Sequence, residues 1–146
     1  MGLFRVKWYR MTVRTKSIFA PIDEDDGHRI LITRFYPRGV RKTHFDEWLT
    51  SLSPRPDLLF GYKNGEMNWD SFKDSFIKQL KGDLDSLEAI HTINDLSKTS
   101  EVTLLCFEKS GNPCHRHIVR DIVENPSLLE STFETEYADD HKRIAV

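Results

Sequence analysis

Apolar residues recur along this chain with two periods, and the change from one to the other divides it into elements. Val13, Thr15, Ser17 and Phe19 alternate with Arg14, Lys16 and Ile18, a period of two that predicts a strand over 13–19. Asp23-Glu24-Asp25-Asp26-Gly27 supplies the side-chain acceptors and the permissive backbone that a turn requires. His28 to Tyr36 then reads as a buried strand stopped by Pro37, which cannot donate to a ladder. Thr43 and Asp46 resemble a capping arrangement, and the pattern predicts a short helix burying Phe45, Trp48, Leu49 and Leu52.

Helical spacing dominates the middle of the chain. Pro54 and Pro56 close the preceding segment, and Asp57 to Tyr62 predicts a further helical turn ended by Asn64-Gly65. Asn68 is a good N-cap for a helix in which Trp69, Phe72, Phe76 and Leu80 share one face, and Gly82 is its natural stop. Leu84, Leu87, Ile90, Ile93 and Leu96 form the next stripe, ending near Lys98. The strand Val102 to Phe107 follows. A helix from Cys114 to Glu124 buries Ile118, Val119, Ile122 and Val123 and gives way at Pro126; Leu129, Phe133 and Tyr137 hint at a weaker one. Strands alternating with helices predict an α/β, Rossmann-like single domain with a mainly parallel sheet flanked by helices. The apolar strands at 28–36 and 102–107 suit a sheet covered on both faces. The expected organisation is a basic extension over 1–11, the α/β domain over 12–126 and an acidic tail over 127–146.

Bulk properties narrow the class. A chain of 146 residues holds one domain with a real core, and 38% apolar with 30% charged residues suits a soluble protein. A net charge of −2 gives no general pull toward nucleic acid or membrane, and no apolar run nears the roughly 20 residues of a span. Two cysteines do not make a secreted disulfide framework, and the N-terminus lacks the apolar core of a signal, so a cytoplasmic location is expected. Charge is nevertheless uneven. Arg5, Lys7, Arg10, Arg14 and Lys16 precede the first acid, and Arg34, Arg38, Arg41 and Lys42 surround Pro37-Arg38-Gly39.

The chemistry gathers at the end of the second apolar strand. Cys106 closes that strand, Ser110-Gly111-Asn112-Pro113 turns, and Cys114-His115-Arg116-His117 opens a helix. Ligands of α/β proteins bind beyond the carboxyl ends of parallel strands, where helix N-termini favour anions and acidify thiols. Cys114 and His115 are therefore the candidate catalytic pair, with Arg116 expected to help acidify the Cys114 thiol. If the strands are parallel, Arg38 and Gly39 meet Arg116 on one sheet edge, and the two guanidiniums with Cys106 beside them form the expected ligand site. The bland alternatives are that Arg38 pairs with the acidic turn, Arg116 pairs locally and Cys106 merely packs. A phosphatase-type loop would want arginine where Asn112 stands.

Metal spacing is poor, since Cys114 and His117 make the one close pair and His115 and His117 point apart on a helix. No metal and no cofactor therefore enter the expected site. The expected partner is a phosphate-bearing small molecule, with a nucleotide as one form. A non-catalytic module for nucleic acid or protein is the alternative, resting on the basic N-terminal segment, the PRGVRK loop and the aromatic set Phe45, Trp48, Trp69, Phe72 and Phe76 as a stacking surface. At helical spacing that aromatic set suits a core. A thiol- or metal-dependent enzyme is a further alternative. No membrane partner is expected, and oligomeric state is not legible in the sequence.

Several stretches taken together match a known pattern. VRTKSIF, PIDEDDGHRILITRFYPRGV, HFDEWLTSLSP with a Trp-bearing helix after it, and VTLLCFEKSGNPCHRHIV resemble the family known as domain of unknown function 488 over roughly Thr12 to Glu124. The resemblance implies a compact α/β, Rossmann-like fold without an established activity, in the branch that carries the Cys…Cys-His-Arg ending. Such proteins typically begin near the residues after Met11, so the resemblance implies that Met1 to Arg10 is an extension or an upstream start.

Overall fold

Among the described residues, four parallel strands form a sheet in the order β1-β4-β2-β3, with β1 at Val13–Ser17, β2 at His28–Leu31, β3 at Glu47–Trp48 and β4 at Val102–Cys106. The computed structural model describes residues 13–108 and 114–129. The basic segment 1–11, most of the acidic tail, and Phe133 and Tyr137 lie outside the described residues. β4 is buried along its whole length because it pairs on both sides, with Val13↔Val102 in one direction and His28↔Val102 in the other. This register aligns the carboxyl ends of β1, β2 and β4 on one edge. The expected α/β fold with a parallel sheet is the fold of the chain.

Side chains alternate across the pleat and divide the core in two. Val13, Ile30, Ile32, Val102 and Leu104 face the helices, where Phe72, Phe76 and Leu80 of α2 (Trp69–Lys81) and Ile90 and Ile93 of α3 (Leu84–Ser97) meet them. Ile118, Val119, Ile122 and Val123 of α4 (His115–Glu124) complete that layer. Full burial stabilises each such side chain by about 1.5–3 kcal/mol. Leu31 and Leu105 face the other way, with Ile18, against Val40, Phe45 and Phe107. That second face is covered by the segment after β2 rather than by a helix.

The Asn68 and Gly82 caps read from the sequence operate as expected, while the Thr43–Asp46 arrangement caps no helix. Asn68 Oδ1 accepts from Ser71 N at 2.8 Å, and the Gly82 amide closes α2 on the Lys78 carbonyl. Asp23 and Asp26 form a reciprocal capping box around the 3-10 turn Glu24–Asp26. Gly27 follows at φ 63°, and a Cβ there would stand 2.2 Å from the Glu101 carbonyl oxygen, so this position admits glycine alone. A short helix, α1 (Pro56–Lys63), starts with proline in its first turn.

Two elements differ from expectation. β2 ends at Leu31 rather than Tyr36, because Arg34 turns away to donate to the Ser53 and Pro54 carbonyls. The segment after Thr43 is not a helix but a 3-10 turn (Lys42–His44), the edge strand β3 and a second 3-10 turn (Thr50–Leu52). Asp46 Oδ2 accepts from the Arg29 amide at 2.8 Å, and the Trp48 indole donates to the Thr33 carbonyl at 2.8 Å. Those bonds draw residues 46–48 onto the exposed edge of β2, and the edge pairing outweighs a helical period only a few residues long. Among the described residues no helix is long and apolar enough to cross a membrane.

Candidate functional site at the carboxyl edge of the sheet

Cys106 is the last residue of β4 and Cys114 is the N-cap of α4, so strand and helix deliver both sulfurs to one point on the carboxyl edge. The two sulfurs are joined as a disulfide, and both residues are buried. Their Cα atoms are 7.8 Å apart, wider than the roughly 4.4–6.8 Å that disulfides usually span. Cys114 has an extended backbone and makes no side-chain cap bond. Its sulfur is therefore not used to close the helix.

His115 follows, with 9% of its surface exposed. Its Nε2 lies 2.5 Å from the Ile32 carbonyl oxygen. A carbonyl only accepts, so Nε2 carries the proton and Nδ1 presents its lone pair. That nitrogen lies 3.6 Å from Cys114 Sγ. Burial drives the imidazole pKa down to about 4; the bond to Ile32 opposes this, and the positive charges of Arg116, Lys63 and Arg34 add to it. At neutral pH the ring is uncharged, with its free nitrogen aimed at sulfur. Its edge also packs on Phe76, the centroids 5.8 Å apart.

Arg116 is 1% exposed, the largest fully buried side chain among the described residues. Its Nη1 donates to Cys106 Sγ at 3.0 Å and to the Glu108 carbonyl at 2.6 Å. Burial lowers its pKa and Glu108 opposes the fall; a guanidinium nonetheless stays charged in proteins. The sequence placed this cation beside Cys114, but the helical geometry turns it onto Cys106. It thus favours negative charge on the sulfur at the strand end.

Arg38 occupies a different place. It is exposed on the turn in which the Val40 amide bonds the Pro37 carbonyl at 3.3 Å. Gly39 has φ 82°, and a Cβ added there would meet nothing within 4 Å, so it serves the turn's backbone rather than a close approach. The acidic turn expected as the alternative partner of Arg38 is bonded instead to Lys16 and Arg29, both through Asp26. The guanidinium that reaches the cysteine site from this part of the chain is that of Arg34.

Two adjoining cavities open at Cys114 and His115. One, of about 220 Å³, is walled by Tyr62, Trp69 and Phe72; the other, of about 100 Å³, by Arg34, Phe35, Phe60 and Cys106. Leu59, Lys63 and Glu108 line both. Tyr62, Trp69 and Phe72 form one aromatic set, with Trp69 stacked on Phe72 at 5.3 Å and Tyr62 edge-on to Trp69 at 5.5 Å. Phe72 and Phe76 are buried, as their spacing implied, while Trp69 and Tyr62 are half-buried and reach the cavity. Sequence reading missed Tyr62, Lys63, Arg34 and Glu108. The available signal was the position of Tyr62-Lys63 at the end of a short helix just before an Asn-Gly stop, near in space but about fifty residues away in the chain.

A family model described as the active DUF488-N3 subclade matches residues 13–127. The uncharacterized protein YeaO of Escherichia coli is 26% identical over 113 residues, covering 76% of this chain and 96% of YeaO. The uncharacterized protein Rv3073c of Mycobacterium tuberculosis is 28% identical over 93 residues, 62% of this chain and 78% of Rv3073c. No solved structure matches the chain at comparable significance.

Proposed function

This chain belongs to the DUF488 family, in its active DUF488-N3 subclade, and we propose that it binds a small nucleotide-like molecule at the carboxyl edge of its sheet. The observation that carries this reading is the composition of the paired cavities. Aromatic side chains (Tyr62, Trp69, Phe72) line one cavity and Arg34 the other, while the cation Lys63 lines both together with Cys114 and His115. Ligand sites are mostly apolar with a few converging polar groups. An aromatic ring accepts the face of a base, and a cation accepts a phosphate.

The anion-binding role expected of Arg38 and Arg116 passes in this proposal to Lys63 and to the Nη1 of Arg34, whose Nε and Nη2 already donate to the Pro54 and Ser53 carbonyls. Arg116 has its Nη1 committed to Cys106 and Glu108, and Arg38 is exposed on its own turn. Glu108 repels an anion from its own side, so the phosphate lies toward Lys63 and Arg34. Cys114 and His115 are the reactive corner of the site.

The test is calorimetric titration of the full chain, reduced and metal-free, with adenosine, guanosine, cytidine and uridine monophosphates. At least one is expected to bind, and Lys63→Met to weaken it by about tenfold, the worth of one charge-assisted hydrogen bond. Lys63 is exposed, so its replacement leaves the fold intact. Failure of all four nucleotides to bind, or to raise the melting temperature as bound ligand must, ends the proposal.

A second expectation concerns the thiols of the reduced protein. Cys114 lines both cavities and Cys106 only the smaller, while Arg116 covers the Cys106 sulfur. Iodoacetamide should therefore modify Cys114 first, and a bound nucleotide should slow it, as peptide mapping by mass spectrometry would read. Modification of Cys106 first overturns this order, and modification of neither until the protein unfolds makes both cysteines packing residues.

A further inference from the structure

Three soft or borderline ligand atoms meet at the floor of these cavities: the sulfurs of Cys106 and Cys114 and the ring nitrogen of His115, all within 4.8 Å of one another and all buried. We infer that in the reduced protein Cys106, Cys114 and His115 form a three-ligand site for a thiophilic divalent cation, zinc foremost, with its fourth position open to the cavity. The inference gives a role to the reactive corner of the ligand site proposed above and rests on that cavity for its open side.

Three features of the geometry carry it. First, the tautomer is fixed. The Ile32 carbonyl accepts a hydrogen bond from Nε2–H, which leaves the Nδ1 lone pair free for a metal, the arrangement that metal-bound histidines show when their other nitrogen is held by a backbone carbonyl. Second, the spacing fits. A tetrahedral ion with metal–sulfur bonds of about 2.3 Å and metal–nitrogen bonds of about 2.0 Å puts sulfur and nitrogen roughly 3.5 Å apart. Cys114 Sγ and His115 Nδ1 are 3.6 Å apart. The sulfurs must separate to about 3.8 Å to admit the same ion, and Cα atoms 7.8 Å apart suit a pair bridged by a third atom better than a direct bond. Third, charge is provided for. Each thiol gives up its proton on binding, two thiolates neutralise the divalent ion, and the Arg116 guanidinium donates to Cys106 Sγ from outside the coordination shell.

Two cysteines and one histidine with a free position form a ligand set of catalytic rather than structural zinc. A water on that position would face Lys63 and the aromatic wall, where the proposed ligand lies. The linear spacing of the motif pointed to His117 beside Cys114; the fold selects His115 and recruits Cys106 from the strand.

The experiment uses the full chain, reduced and freed of excess reductant without oxygen, titrated with cobalt(II) alone and then with zinc. The expected result is one ion per chain, the intense visible bands of tetrahedral cobalt, a thiolate-to-cobalt charge-transfer band, release of two protons, and loss of all bands when zinc displaces cobalt. Cys106→Ser, Cys114→Ser and His115→Gln should each weaken binding by at least about 100-fold, more than the usual effect of an outer-shell change. His117→Gln should leave affinity unchanged. Because serine variants can fail to fold, alkylation of the wild type adds a second reading: zinc should protect both thiols together.

The inference is overturned if the folded, fully reduced protein takes up no cobalt, if both serine variants bind as the wild type does, or if the cysteines resist reduction until unfolding. No nucleotide is present in this titration, and the calorimetric test uses metal-free protein. Either proposal can therefore fail without the other.

Discussion

Replacing Asp26 by alanine is expected to destabilise the protein by about 3–5 kcal/mol, the usual cost of leaving a buried charge without its partner. Asp26 is 1% exposed and its carboxylate accepts from Arg29 Nη1 at 2.5 Å, from Lys16 Nζ at 2.9 Å and from the Asp23 amide at 3.0 Å. Its backbone carbonyl receives Thr103 Oγ1 of β4 at 2.7 Å. Burial alone would raise its pKa, but the bonds from Lys16, the Asp23 backbone and Arg29 outweigh that and hold it below the ordinary 3.8. Arg29 is itself 5% exposed, and Asp26 is the acid of the turn with which it is paired. Lys16 is less constrained and can swing toward solvent. Denaturant unfolding, with midpoint and slope both measured, checks this. Asp26→Asn should fall between wild type and alanine, since it keeps an acceptor and loses the charge. A loss below about 1 kcal/mol for alanine would show that the cluster contributes far less than buried pairs do.

Acid should weaken the metal-free protein well before its carboxylates titrate. His115 is held neutral in the fold with a pKa of about 4, against 6.5 for the free side chain. Between those values the unfolded chain binds a proton that the folded chain refuses, so unfolding gains as pH falls. The contribution is complete above pH 6.5 and is lost as pH drops toward 4. At 1.36 kcal/mol per unit, it amounts to about 3 kcal/mol. Stability measured by urea unfolding across this window should show the slope. His115→Phe, which keeps a ring against Phe76, should remove it whatever its effect at pH 7. Equal slopes in the two proteins would mean that the imidazole protonates in the folded state without penalty. Asp26 acts in the same direction but only below its ordinary 3.8, so the two windows are separable.

What the sequence made legible follows from how far each signal reaches. Asn68, the Trp69–Leu80 face and Gly82 lie within one helix and are read correctly because cap, period and stop are all local. Cys114, His115 and Arg116 are equally local, and a strand ending at Cys106 followed by a helix leaves them little choice of position. The failures are tertiary. Glu47 and Trp48 become strand because Arg29 and Thr33, more than ten residues earlier, supply the bonds that hold residues 46–48. Arg34 leaves the β2 ladder for carbonyls twenty residues ahead. Arg38 and Arg34 look alike in the sequence, and only the folded turn shows which reaches the cysteines. The same holds for His115 against His117, where one helical step decides which ring is buried over β2.

The place of β4 between β1 and β2 bears on how the molecule is made. In the order β1-β4-β2-β3, the strand that joins the two halves is the last of the four to leave the ribosome. Until residue 106 has emerged, among the described residues β1 has no strand to pair with and β2 has only the two-residue β3. The helices over 56–97 are local and can form early, but their apolar faces then wait for a sheet that does not exist. Pairings this distant in sequence make for slow folding and for a nascent chain with exposed edges. A stop anywhere before residue 102 should thus yield no smaller stable product, only material for chaperones and proteases. Synthesis of the Val102–Cys106 strand is the step that commits the chain, and it brings the first sulfur of the site into place in the same motion.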